Sequence, residues 1–140
     1  LRNLVRTLGL SATITFAHPS GDVASAMSAG ELFVDAGGGD HLSIQTLRAM
    51  AAGMCIIAVD GGVADYLRND ETALLYSRGH VDRLAEIIRD LMQQPTTSHQ
   101  FARRAWEYVR SNHSVSVMAE STAGIYRRLS SAHATFPFQR

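Results

Sequence analysis

Residues 40–62 constrain the fold of this chain more than any other segment. The pattern predicts a loop, a short helix rich in small residues over 43–52, an apolar strand over 54–59 and a Gly-Gly turn. Ser43 is the expected cap of that helix, and Gly53 is expected to end it. Continuous apolar strands joined by helices are typical of a parallel sheet that is covered on both faces. The N-terminus of the helix then opens at the edge of the sheet, where its first backbone N–H groups lack partners and favour an anion.

The rest of the chain continues this α/β pattern. Apolar strands are predicted at residues 12–16, 31–35, 54–59 and 72–76, with helices between them, as right-handed βαβ units require. After residue 80 the apolar spacing becomes helical, and helices are predicted to open near Val81, Pro95 and Val115. We therefore expect a parallel sheet of about four strands with flanking helices, followed by a helical C-terminal stretch.

Length and composition predict one globular domain. The chain has 140 residues, of which 46% are hydrophobic and 19% are charged, a balance that is typical of a folded domain. Helical spacing ends near residue 130, so we assign residues 1–130 to the domain and residues 131–140 to a tail. The first ten residues resemble the end of a helix, and we expect the chain to be part of a longer protein.

Charge and cysteine content argue against several classes of function. The formal net charge is zero, which disfavours a nucleic-acid partner. No apolar run approaches the ~20 residues that span a membrane, and no signal-peptide pattern is present. We therefore expect a cytoplasmic protein, and this segment does not support peripheral membrane association. Cys55 is the single cysteine, and the six histidines lack the spacing of metal ligands, so no metal site is predicted.

The order of these motifs resembles the donor-binding half of family-4 glycosyltransferases. That family has the run E-G-F-G-L-x-x-L-E-A-M-A-x-G-x-P-V-I-A-x-x-x-G-G, and residues 40–62 read D-H-L-S-I-Q-T-L-R-A-M-A-A-G-M-C-I-I-A-V-D-G-G. The strand T-A-L-L-Y at 72–76 is similar to the family's T-G-L-L-V strand. The resemblance covers residues 8–129 and implies a Rossmann-like domain, the C-terminal half of a GT-B fold.

The resemblance also implies a site for the nucleotide-sugar donor. Asp40 stands at the family's first glutamate, whose carboxylate accepts hydrogen bonds from sugar hydroxyls, and Arg48 stands at its second glutamate, so these two are the candidate catalytic residues. The N–H groups of Ser43, Ile44 and Gln45 are expected to hold the donor diphosphate. The full set of candidate donor-binding residues is His18, Asp40, His41, Leu42, Ser43, Ile44, Gln45, Arg48, Gly61 and Gly62.

Arg48 is the conspicuous departure from the family's pattern. The family's second glutamate accepts hydrogen bonds from ribose hydroxyls, and a guanidinium group is a donor only. Two roles remain open for Arg48: pairing with a donor phosphate, or covering the apolar stripe expected at Ile44, Leu47 and Ala51 with its aliphatic stem.

The function implied by the resemblance is transfer of a sugar, with retention, from a nucleotide-sugar to an unknown acceptor. It requires no resident cofactor or metal, because the nucleoside-diphosphate sugar is the substrate, and the acceptor is expected to bind an N-terminal domain of the same protein. The alternative is a catalytically degenerate relative that acts as a scaffold or a partner-binding module. A plain α/β ligand-binding domain of different ancestry is the third possibility.

Overall fold

The computed structural model describes residues 1–17, 23–37, 43–61 and 65–133. Their elements, in chain order, are α1 (Arg2–Thr7), α2 (Val23–Ser28), β1 (Leu32–Asp35), α3 (Ile44–Ala51), β2 (Cys55–Val59), β3 (Leu74–Tyr76), α4 (Val81–Gln93), α5 (Pro95–Asn112) and α6 (Val115–His133). Parallel strands with a helix between β1 and β2 and further helices after β3 confirm the predicted α/β class. The helix predicted between the strands at 54–59 and 72–76 is not found among the described residues of that connection, 60–61 and 65–73.

The sheet is parallel and has β2 at its centre. β1 pairs with β2 in the register Leu32 to Cys55, and β2 pairs with β3 in the register Ile57 to Leu74. Every residue of β2 is buried, because helices cover both faces of the sheet. This explains why the strand is a continuous apolar run rather than an alternating one.

Alternate residues of β2 face two separate apolar clusters. Ile56 and Ala58 pack with residues of α2, α3 and the second half of α5, whereas Cys55, Ile57 and Val59 pack with α4 and the first half of α5. Because α5 contributes to both clusters, it ties the two faces of the sheet together.

The prediction of a strand at residues 12–16 is wrong. The N–H groups of Thr13 and Ile14 both donate to the Leu10 carbonyl, at 3.0 and 2.9 Å. This local turn uses amides that a strand would present to a neighbour. Phe16 instead lies beneath the Arg2 guanidinium, which is 4.9 Å from its ring centroid. Over the described ranges the sheet therefore has three strands, not four.

The buried face of α3 also differs from the prediction. Thr46, Ala49 and Met50 are buried, whereas Ile44 is 58% exposed and Ala51 is exposed. The buried face is therefore rotated around the helix axis relative to the apolar stripe predicted at Ile44, Leu47 and Ala51. The two differ because Thr46, a polar residue, is buried with a hydrogen-bond partner.

The ends of two further elements were well predicted. Ser43 is the N-cap of α3, and Gly53 follows the helix with φ of +78°, a left-handed conformation that glycine adopts without strain. Pro95 is the first residue of α5. The last helix continues to His133, past the boundary predicted at residue 130, and residues 134–140 lie outside the described ranges.

Candidate functional site

The N-terminus of α3 lies at the carboxyl edge of the sheet. β1 ends at Asp35, and α3 begins at Ile44 after one connection, so the first turn of the helix lies at the edge where β1, β2 and β3 end. Ligands of open parallel α/β sheets bind outside this edge. The predicted position of the candidate site is therefore consistent with the fold.

Two N–H groups remain free in the first turn of α3. The Thr46 N–H donates to Ser43 Oγ at 3.2 Å, and the Leu47 N–H donates to the Ser43 carbonyl at 3.1 Å. Among the described residues, the N–H groups of Ile44 and Gln45 have no acceptor. Both belong to the orphan donors of a helix N-terminus, which point outward along the axis and attract anions.

The third expected donor, the Ser43 N–H, is already occupied. It donates to the hydroxyl oxygen of Tyr66 at 2.9 Å. The Ser43 N–H is therefore not free in this structure, because a buried side chain accepts its hydrogen bond, and the expected contact of Ser43 with a ligand stays a prediction. Ser43 serves the site as the helix cap instead.

Asp35 anchors the capped turn to the end of β1. Thr46 Oγ1 lies 2.5 Å from Asp35 Oδ2 and 2.8 Å from Ser43 Oγ. A carboxylate only accepts, so the single Thr46 hydroxyl proton goes to Asp35, and the contact with Ser43 uses the Ser43 proton. The other Asp35 oxygen accepts the Gly37 N–H at 3.0 Å. These bonds fix the start of α3 relative to the sheet.

Gly61 lies at the same edge, just beyond β2. Its N–H donates to Asp60 Oδ1 at 2.8 Å, and its φ is +100°, which a side chain would strain. A Cβ built on Gly61 would meet nothing within 4 Å. Open space therefore faces this turn, and the place of Gly61 beside a donor cleft stays a prediction.

Arg48 lies one turn beyond Ile44, on the side of α3 that faces α2. It is exposed and is the charged residue in a groove of about 630 Å³. No described carboxylate lies within ion-pair distance of it. The groove is lined by Val23, Ala24, Met27, Ser28, Arg48, Ala51 and Ala52. Arg48 is thus a free cation above small and apolar side chains.

Half of the predicted site falls outside the described residues. His18, Asp40, His41, Leu42 and Gly62 lie there, so their roles stay predictions. Tyr66, Thr46 and Asp35 were missed by sequence reasoning. Asp35 could have been predicted as a site residue, because a polar residue that ends an apolar strand lies at the edge of a parallel sheet where ligands bind.

Two further properties of the described residues bear on function. They contain no cluster of three or more histidine, cysteine or acidic side chains placed to hold a metal ion. None of their helices is both long enough and apolar enough to cross a lipid bilayer.

Comparison with known proteins finds related sequences. The family model described as "Glycosyl transferases group 1" matches residues 1–108. D-inositol 3-phosphate glycosyltransferase of Rhodococcus erythropolis is 30% identical over 108 residues, which are 75% of this chain and 24% of that protein. Alpha-maltose-1-phosphate synthase of Mycolicibacterium smegmatis is 28% identical over 119 residues, 80% of this chain and 31% of that protein. The chain thus spans about a quarter to a third of these relatives.

Solved structures share the fold. Sucrose-phosphate synthase from Thermosynechococcus elongatus superposes with a TM-score of 0.83 at 24% identity, over 94% of this chain and 34% of that one. Anabaena HepE in complex with UDP-glucose superposes with a TM-score of 0.82 at 19% identity, over 91% of this chain and 35% of that one. These matches confirm the Rossmann-like fold expected for the C-terminal half of a GT-B protein.

Proposed function

This chain belongs to the group 1 glycosyl transferases, and on that premise we propose that it binds the sugar donor of a transferase. The enzyme would transfer a sugar, with retention, from a nucleotide-sugar to an acceptor. The nucleoside-diphosphate sugar is the substrate in this proposal, and no resident cofactor or metal is required. The acceptor would bind a separate N-terminal domain of the same protein.

The observation that carries the proposal is the pair of unpartnered amides at the start of α3. The N–H groups of Ile44 and Gln45 lie at the carboxyl edge of the sheet, where the Gly61 turn also leaves open space. A diphosphate there gains two charge-assisted hydrogen bonds and the helix dipole. During transfer, negative charge builds on the departing diphosphate, and fixed donors stabilise that charge without reorganisation.

The relatives support a donor of this chemical class. The HepE structure contains UDP-glucose, which is a nucleoside-diphosphate sugar. In this chain the same class of ligand would place its diphosphate against Ile44 and Gln45. His18, Asp40, His41, Leu42 and Gly62 complete the proposed site as predictions from the family resemblance.

Arg48 favours a second candidate function, that of a degenerate domain kept as a scaffold or a partner-binding module. A guanidinium group cannot accept the ribose hydrogen bonds that the resemblance assigns to this position. In the first proposal Arg48 pairs with a phosphate oxygen instead. The two candidates therefore make opposite predictions for the reversal of its charge.

The test is calorimetric titration of the full-length protein with UDP-, GDP- and ADP-sugars. The enzyme proposal predicts that one of them binds, and that Arg48→Glu weakens its binding at least about tenfold, a loss of about 1.4 kcal/mol. Arg89→Glu on the exposed face of α4 is the matched control, because it makes the same charge change away from the sheet edge. If the folded wild-type protein binds none of the three donors, the enzyme proposal is refuted. If a donor binds only to Arg48→Glu, the chain carries a degenerate donor site.

A further inference from the structure

Tyr66 links the turn after β2 to the first turn of α3. Its side chain is 1% exposed, and its hydroxyl oxygen accepts the Ser43 N–H at 2.9 Å. The two residues lie 23 positions apart in the chain. A single buried hydroxyl therefore joins two of the loops that form the candidate site.

The position of that hydroxyl is fixed from both ends of the residue. The Tyr66 carbonyl accepts the Thr72 hydroxyl at 2.5 Å, and Thr72 is itself 3% exposed. The Tyr66 ring meets the His113 ring edge-on, with centroids 5.9 Å apart and planes at 79°, a favourable aromatic geometry. Backbone and ring are thus both held, which fixes the position of the hydroxyl beside Ser43.

The hydroxyl proton of Tyr66 has no acceptor among the described residues. A phenol both accepts and donates, and here only the acceptor is used. The hydroxyl oxygen lies 2.9 Å from the Ser43 nitrogen, and Ser43 is followed in the chain by Ile44 and Gln45, whose amides are free.

We infer that Tyr66 is a positioning residue for the donor diphosphate, an inference that rests on the proposed function. By holding the Ser43 amide, it sets the direction of the first turn of α3, so that Ile44 and Gln45 present their N–H groups together to the ligand. The hydroxyl is required for this role. A residue that only fills the core would need the ring and not the oxygen.

Tyr66→Phe tests this distinction, because it removes the oxygen and keeps the ring. The probe is whichever of UDP, GDP and ADP binds the full-length wild-type protein, with its parent nucleoside measured by competition. We expect the dissociation constant for the diphosphate to rise about tenfold, which corresponds to about 1.4 kcal/mol. That for the nucleoside is expected to change less than about threefold, because the helix amides contact only phosphate oxygens.

Tyr108→Phe is the matched control. Tyr108 also contacts the His113 ring, with centroids 5.6 Å apart, but its hydroxyl faces Arg68 Nη2 at 3.5 Å and not Ser43. Its substitution is expected to leave both dissociation constants unchanged. Equal losses for diphosphate and nucleoside in Tyr66→Phe, or a diphosphate constant within twofold of wild type, would overturn the inference.

Amide hydrogen exchange of the wild-type protein provides a second test, which requires no variant protein. Without ligand, the Ser43 amide is expected to exchange slowly, and those of Ile44 and Gln45 to exchange fast until the diphosphate is added. Exchange of Ser43 as fast as its two neighbours would overturn the inference. If the wild type binds none of the three diphosphates, the proposed function fails and the inference with it; if the wild type binds and Tyr66→Phe binds equally well, only the inference fails.

Discussion

Replacing Thr46 with valine tests how the start of α3 is anchored to the sheet. Thr46 is 0% exposed, and its hydroxyl donates to Asp35 Oδ2 across 2.5 Å. Valine has nearly the same shape, so the change removes the hydroxyl without opening a cavity. Asp35 then keeps only the Gly37 N–H among the described donors, and the Ser43 hydroxyl loses its acceptor.

The expected loss of stability follows from these contacts. A hydrogen bond to a charged group contributes about 1.5–3 kcal/mol, and removal of one partner from a buried pair exposes the full desolvation cost of the other. We therefore predict that Thr46→Val lowers the free energy of unfolding by about 2–3 kcal/mol. With a urea slope of roughly 1–3 kcal/mol per molar, the midpoint falls by roughly 0.7–3 M.

The assay is urea unfolding followed by circular dichroism at 222 nm. Thr7→Val is the matched control, because the Thr7 hydroxyl donates to the Asn3 carbonyl at 3.0 Å on an exposed helix. Its cost is expected to stay within about 0.5 kcal/mol, as is usual for surface substitutions. The reasoning is refuted if the two variants unfold at the same urea concentration with unchanged slopes.

Two further predictions concern Gly53 and Cys55. Gly53→Ala places a side chain at φ of +78° and should lower the free energy of unfolding by about 1–2 kcal/mol, measured by thermal or urea unfolding. Gly124→Ala within α6, where no left-handed φ is required, should leave that free energy unchanged or raise it by up to about 1 kcal/mol. Equal effects of the two substitutions would contradict the conformational argument. Burial raises the pKa of the Cys55 thiol, against the lowering effects of the Ser98 hydrogen bond and the Arg104 charge. The unfolded thiol therefore ionises first, near pH 8.5, so the free energy of unfolding should be unaffected by this group below that pH and should fall above it. Cys55→Ala should lack that part of the fall, and parallel curves for the two proteins between pH 8 and 10 would contradict the prediction.

The sequence predicted those parts of the fold that rest on contiguous apolar residues. β2 is apolar throughout and buried on both faces, so composition alone identifies it as a central strand. The run at residues 12–16 has a similar composition, but its amides bond back to Leu10. Strand propensity describes a half-buried surface, and it does not reveal whether a neighbour exists to complete the ladder.

The start of α3 was predictable from the sequence, but the hydrogen bonds made there were not. Ser43 was recognised as a helix cap, because capping depends on residues within one turn. The burial of Thr46 depends on Asp35, and the loss of the Ser43 amide depends on Tyr66, which is 23 positions away. Such distant pairs leave no periodic signal, so the number of free amides was overestimated.

The most direct test of the donor site is a crystal structure of the full-length protein with the nucleoside diphosphate that it binds. The account predicts a phosphate oxygen within about 2.7–3.2 Å of the N–H nitrogens of both Ile44 and Gln45. Ser43 N should remain bonded to the Tyr66 hydroxyl. A diphosphate bound elsewhere, with those two amides still facing solvent, would contradict the account.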